Sequence, residues 1–171
     1  PLSRASGILL HPTSFPSRFG IGDLGHEAYN FVNFLRDSGQ QIWQILPLGP
    51  TGFGNSPYLA YSAMAGNPLL ISPDKLLERG LLSEEDLSNL PEFPNDRVDF
   101  DLVREFKRSL LQKAYDNFKT KESEEKQAFY DLCASKAFWL DDYAFYMALK
   151  EAHQGASWHT WDQKIARRQP A

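Results

Sequence analysis

Two short apolar runs, residues 5–10 (ASGILL) and 41–46 (QIWQIL), with one helical pattern between them, constrain this chain more than any other feature. The first run stops at His11-Pro12 and the second at Pro47, and proline ends a strand because it brings no N–H to the ladder. Between them a glycine and proline loop, PTSFPSRFGIGD, leads into a stretch where Ala28, Phe31, Val32 and Leu35 recur at helical spacing. Asp23 is expected to cap the start of that helix, Glu27 to favour the positive end of its dipole, and Gly39 to stop it. The order strand, loop, helix, strand is most simply a βαβ crossover with two parallel strands, both buried by helices. In parallel architectures the loops leaving the carboxyl ends of strands gather on one face and build the site. The loops after Leu10 and after Leu46 are therefore expected side by side, with the short Ser38-Gly39-Gln40 turn on the opposite, stabilising face.

From residue 72 onward no strand is legible. Ser72-Pro73 starts a short helix that Gly80 stops, and Ser83 followed by Glu84, Glu85 and Asp86 starts another. A proline-rich break, LPEFPNDR, precedes three longer helical patterns at residues 102–118, 123–134 and 137–153, with Gly155 as the last stop and a helical WHTWDQKIARR after it. Two parallel strands cannot close a sheet, whereas a (β/α)8 barrel takes about 250 residues and more with insertions. The fold class expected is therefore α/β: the amino-terminal portion of a (β/α)8 TIM barrel, its first two parallel strands in residues 1–71 and a large helical insertion subdomain in residues 72–171, within a chain truncated from a longer one.

Composition narrows the function. At 171 residues and 42% hydrophobic content the chain can bury one substantial core. A formal net charge of −4 without a Lys or Arg cluster gives no footprint for nucleic acid, the Arg167-Arg168 pair being too small. No apolar run approaches the ~20 residues of a membrane span, and the opening PLSRASGILLHPTS has no secretory pattern. The single Cys133 excludes an internal disulfide, and no Cys and His spacing fits zinc, so a cytoplasmic chain without metal or cofactor is expected.

The loop over residues 47–67 carries the chemistry. It is rich in Gly, Pro and Asn yet holds Phe53, Tyr58, Tyr61 and Met64, too much apolar surface for a linker and typical of a binding loop. The plane of Tyr58, with Ser56 and Asn55 beside it, suits a ring compound that has one apolar face and a polar rim. The competing reading is that Tyr58 and Tyr61 only anchor the loop, and composition alone favours it. His11, at a strand end, is either a substrate contact or a hydrogen-bonded packing residue. His26, His153 and His159 look like surface or helix positions, and Glu84, Glu85, Asp86, Glu122, Glu124 and Glu125 like solvated helix starts and faces. The glycines over residues 20–25 lack the Lys and spacing of a phosphate loop, so turn geometry explains them better.

Several motifs in one order, SGILLHPTS at residues 6–14, GIGDLG at 20–25, WQILPLGPTG at 43–52, Ser56-Pro57-Tyr58 and Gly66-Asn67-Pro68, closely resemble the amino-terminal region of the amylomaltases. These are the 4-α-glucanotransferases, or disproportionating enzymes, of the α-amylase clan. The resemblance is close over residues 4–76 and looser beyond, through Asp141-Asp142-Tyr143-Ala144 and the Trp158 to Trp161 region. It implies a (β/α)8 barrel that moves a segment of one α-1,4-glucan onto the 4-hydroxyl of another glucan or glucose, with maltodextrins as partners. It also implies that Tyr58 stacks on the sugar beside the cleavage point. The family often has Tyr where Phe53 stands, an auxiliary glucan contact, and Asp-Ser-Pro-Tyr-Gln where this chain has Asn55-Ser56-Pro57-Tyr58-Leu59. Retaining transfer needs a nucleophile and an acid/base carboxyl about 5 to 5.5 Å apart. The family carries them on later strands, so no catalytic residue is assigned here and the carboxylates are expected downstream of Ala171. The alternatives are a glucan-binding module without catalysis and a different (β/α)8 enzyme such as a sugar-phosphate isomerase, against which the lack of a phosphate-binding loop counts.

Overall fold

The computed structural model describes residues 4–121 and 124–169. Glu122 and the expected helix start at Ser123 lie outside the described residues, as do the side chains of Glu124 and Glu125. The chain divides into two compact units, Pro1–Lys121 and Glu122–Ala171.

In the first unit β1 (Gly7–Leu9) and β2 (Ile42–Gln44) pair in parallel, with Ile8 opposite Trp43. Both are shorter than the apolar runs that predicted them. Helix α1 (His26–Asp37) connects them and ends as expected: Gly39 takes φ +67° and the Gln40 N–H returns to the Leu35 carbonyl at 2.8 Å. Strand side chains alternate between faces, and only one face here is covered. Ile8 and Trp43 are half-buried; the Trp43 ring lies 5.3 Å from Phe31 of α1 and 5.8 Å from Phe15. On the other side Leu9 and Ile42 are exposed. The strands are thus not buried by helices on both faces, because a pair joined by one helix has only one layer to pack against.

Helix α2 (Pro73–Glu78) is stopped by Gly80 at φ +64°, which turns Leu81 and Leu82 into the core. The helix expected after Ser83 is one 3-10 turn, Glu85–Leu87. Ser83 and Asp86 bond reciprocally across it: the Ser83 N–H donates to Asp86 at 2.8 Å and the Asp86 N–H to Ser83 Oγ at 3.4 Å. Pro91 follows too soon for a second turn. Asp86, expected to be solvated, has a side chain only 6% exposed and pairs with Lys113 of helix α3 (Phe100–Thr120). Asp99 caps α3, accepting from the Leu102 N–H at 3.1 Å. Its buried face, Val103, Lys107, Leu110 and Ala114, packs on Phe19, Ile21 and Leu69 and on Leu81, Leu82 and Leu87. The first helix after the proline-rich break is therefore seated on the loops that leave the strands.

In the second unit a single helix, α4 (Glu124–Ala152), replaces the two expected with a break near Ser135. No Gly or Pro stands there, and the Ser135 hydroxyl donates to the Leu132 carbonyl at 3.0 Å, which keeps its polar group satisfied inside the helix. Gly155 ends the helix at φ +77°. A 3-10 turn, Trp158–Thr160, and the short α5 (Gln163–Ala166) follow. Trp161 is buried between them and α4, 4.9 Å from His153 and 5.7 Å from Tyr146. No helix among the described residues is long and apolar enough to cross a membrane.

The Lys113 ammonium and the Ser83 N–H hold the Asp86 carboxyl down to about 2, from an ordinary 3.8. A carboxyl depressed by folding adds stability above its unfolded pKa and loses it as pH falls through the folded one. The urea midpoint of the chain should therefore exceed that of Asp86→Asn at pH 5, with the gap closing between pH 4 and about 2. A gap independent of pH would place the contribution of Asp86 in packing instead of charge.

Candidate functional site

Because β1 and β2 are parallel, the loops that follow them leave the same end of the sheet, as expected. They are joined there directly. The Trp43 indole N–H donates to the Leu10 carbonyl at 2.7 Å, and His11 Nε2 stands 3.5 Å from the Pro47 carbonyl. His11 Nδ1 faces Thr13 Oγ1 at 2.7 Å and accepts from the Thr13 N–H, so the ring caps the 3-10 turn Pro12–Ser14 and acts as a packing residue. Gly22 is forced by close approach, since a Cβ there would lie 2.1 Å from the Pro12 carbonyl oxygen. His26 is an exposed helix position paired with Glu78 at 2.9 Å, and His159 is exposed against Trp158.

The second loop folds back as a hairpin. Thr51 bridges Ala60 antiparallel, the Gly52 N–H donates to Leu59 at 2.8 Å and the Tyr61 N–H to Pro50 at 3.0 Å. Its tip is a 3-10 turn, Phe53–Asn55, where Gly54 and Asn55 take φ +70° and +56°, a conformation that Gly and Asn tolerate. The Ser56 hydroxyl then accepts from the Tyr58 N–H at 3.3 Å, a local turn that presents the ring. Tyr58 is 71% exposed and Phe53 92%. The four residues singled out in the sequence, Phe53, Asn55, Ser56 and Tyr58, thus share one hairpin end. At its base the Asn67 N–H donates to Leu48 at 2.8 Å, and Asn67 caps the turn Pro68–Leu70.

Two residues of α3 were missed. Arg104 donates to the carboxamide oxygen of Asn55, which ties the hairpin tip to the helix. Lys107, 1% exposed, donates to the Leu69 carbonyl at 2.6 Å, the Ile71 carbonyl at 2.9 Å and Asp23 at 3.4 Å. Its signal in the sequence is a lone Lys in the apolar stripe of Val103, Leu110 and Ala114. Asp23 is accordingly not the cap of α1. Gly25 occupies that position, and Asp23 turns inward to accept from the Gly25 N–H at 2.9 Å, from Lys107 and from Ser72. Burial pushes the Asp23 carboxyl up, against the pull of Lys107, and pushes the Lys107 ammonium down, against the pull of Asp23.

This end of the sheet offers flat apolar rings beside short polar groups. It has no pair of carboxylates facing one another in the two loops, since the single acid, Asp23, is buried and paired. Among the described residues no cluster of His, Cys, Asp or Glu is placed to hold a metal ion. The arrangement has the shape and polarity for contact with a polar ring compound, and the two loops hold no acid and base pair.

Residues 10–171 match the sequence profile of a family described as 4-alpha-glucanotransferase. A 4-alpha-glucanotransferase of Synechocystis sp. is 56% identical over 168 residues, 98% of this chain and 33% of the relative. One of Thermus thermophilus is 48% identical over 169 residues, again 98% of this chain and 33% of the relative. The chain therefore spans about a third of the length of the curated relatives it matches. Among solved structures, an amylomaltase from Streptococcus agalactiae in complex with acarbose superposes with a TM-score of 0.90 at 41% identity, covering 98% of this chain and 34% of that one.

The tie between Arg104 and Asn55 generates a prediction. Arg104→Ala should free the hairpin tip, so that the amides of residues 52–56 exchange faster while thermal stability falls by only about 1 kcal/mol. Unchanged exchange at the tip would show that the hairpin holds its own shape.

Proposed function

The chain belongs to the 4-alpha-glucanotransferase family, and from that membership we propose that, in a polypeptide of its relatives' length, these residues build the sugar-binding side of an enzyme that transfers α-1,4-glucan segments between maltodextrins. The reaction is a retaining double displacement, and its place is starch, glycogen and maltodextrin metabolism in the cytoplasm. The observation that carries the reading is Tyr58, 71% exposed on a hairpin anchored at the carboxyl ends of two parallel strands. Its ring lies against the C–H face of a glucosyl unit, Ser56 and Asn55 meet the hydroxyl rim, and Phe53 contacts the glucan further along.

The same proposal gives β1 and β2 the place of the first two strands of a (β/α)8 barrel, residues 1–71 the barrel start and 72–171 the helical insertion. The exposed face of Leu9 and Ile42 supports it, since alternate strand residues in such a barrel point to a filled interior while the others meet the helices. The nucleophile and the acid/base carboxyl are assigned to the part of the relatives that this chain does not match. Within the site-face loops only Asp23 is acidic, and its partners hold it in the core.

The 171-residue chain incubated with maltotriose should release no glucose and form no longer maltodextrins, whereas a polypeptide of the relatives' length carrying these residues should do both. Turnover by the short chain would overturn the assignment of the carboxylates.

A Tyr ring offers ~150–250 Å² of surface, and losing its cover by sugar should cost on the order of 2 kcal/mol. In the longer polypeptide Tyr58→Ala should therefore lower kcat/KM for maltotriose about thirty-fold per folded molecule, and Tyr58→Phe less. If Tyr58→Ala lowers thermal stability but leaves kcat/KM unchanged, the ring only anchors the loop.

A further inference from the structure

We infer that Lys107 is a positioning residue for the glucan-binding hairpin: its buried ammonium fixes the base of the loop whose end carries Tyr58. The inference rests on the glucan reading of that loop.

A Lys ammonium has three N–H donors, and here it meets three acceptors, the Leu69 and Ile71 carbonyls and the Asp23 carboxylate. An apolar side chain would pack at position 107 without the desolvation that a buried charge costs, so packing alone gives no reason for Lys. Its partners do. The carbonyls of Leu69, Leu70 and Ile71 are consecutive, and all three are held from outside their own turn: the first and third by Lys107, the second by the Leu24 N–H at 3.0 Å. That segment follows the returning stem of the hairpin loop, which the Asn67 to Leu48 bond at 2.8 Å closes onto the start of the same loop. Through Asp23 and Leu24 the same ammonium reaches the end of the first loop. One helical turn earlier on α3, Arg104 holds the hairpin tip. A single helix thus fixes the loop at base and tip before any sugar arrives. Ordering done in advance is not charged against binding, which is how a remote group raises affinity.

The test begins with the 171-residue chain itself. Hydrogen exchange of Lys107→Met should show the amides of Leu24, Asn67, Leu69, Leu70 and Ile71 exchanging about tenfold faster, with those of mid-α1 and mid-α3 within about threefold of the parent. Asp23→Asn keeps both carbonyl bonds, so it should leave Leu69 to Ile71 within about threefold. In the longer polypeptide Lys107→Met should raise KM for maltotriose about tenfold per folded molecule. Uniform loosening of the unit, or none, overturns the inference, as does an equal effect of Asp23→Asn. Selective loosening without a kinetic loss, while Tyr58→Ala still loses activity, overturns the role of Lys107 and leaves the glucan reading standing. Should Lys107→Met not fold, the parent chain decides: a slowly exchanging 15N ammonium signal from Lys107 is expected, and its absence overturns the inference.

Discussion

A charged amine with 1% of its side chain exposed is the contact that ties α3 to both loops of the first unit. Taking an ammonium and a carboxylate out of water costs several kcal/mol each, so such a pair persists only where hydrogen bonds satisfy both groups. The opposed shifts of Lys107 and Asp23 record that desolvation. What holds the charge is mostly backbone: the carbonyls of Leu69 and Ile71, in and just after a single 3-10 turn. The pair therefore joins three segments distant in sequence, the first loop, the second loop and α3.

The sheet could not do this. Two parallel strands of three residues each make up the sheet among the described residues, and isolated two-stranded sheets are marginal in water. One face is held by Trp43 against Phe15 and Phe31, and the far face presents Leu9 and Ile42 to solvent. Most of the buried apolar surface lies instead where α3 meets Phe19, Ile21, Leu69 and the turn through Leu81, Leu82 and Leu87. The core sits under the loops, not under the strands. Loops made rigid in this way can carry binding residues without the loss of precision that a free loop brings.

Exposed rings and acidic groups are kept apart in the two loops of this stretch of chain. Phe53 and Tyr58 are exposed on a hairpin whose Asn55 is already engaged by Arg104, while the only acid of the two loops is locked inward. The family to which the chain belongs is three times as long as the matched part, so the rings and the reacting carboxyls need not come from the same segment.

Local signals determined the βαβ order, the parallel pairing, the glycine stops at Gly39, Gly80 and Gly155 and the long loop that carries Tyr58, because each depends on a few adjacent residues: a proline that ends a strand, a glycine that takes positive φ, a run of Gly, Pro and Asn that forms no ladder strand. The motifs read alongside them reached the family as well. Tertiary structure alone decided what the polar groups do. Asp23 has the sequence of a helix cap and is a buried partner of Lys107; Asp86 has that of a solvated helix start and pairs with Lys113; Lys107 stands out in an apolar stripe, but nothing near it in sequence names its acceptors. It also decided that α4 runs unbroken through Ser135, whose hydroxyl bonds within the helix. A charged or polar side chain has the same local preferences whether its partner is water or a carbonyl far along the chain, and only the fold brings that partner within reach.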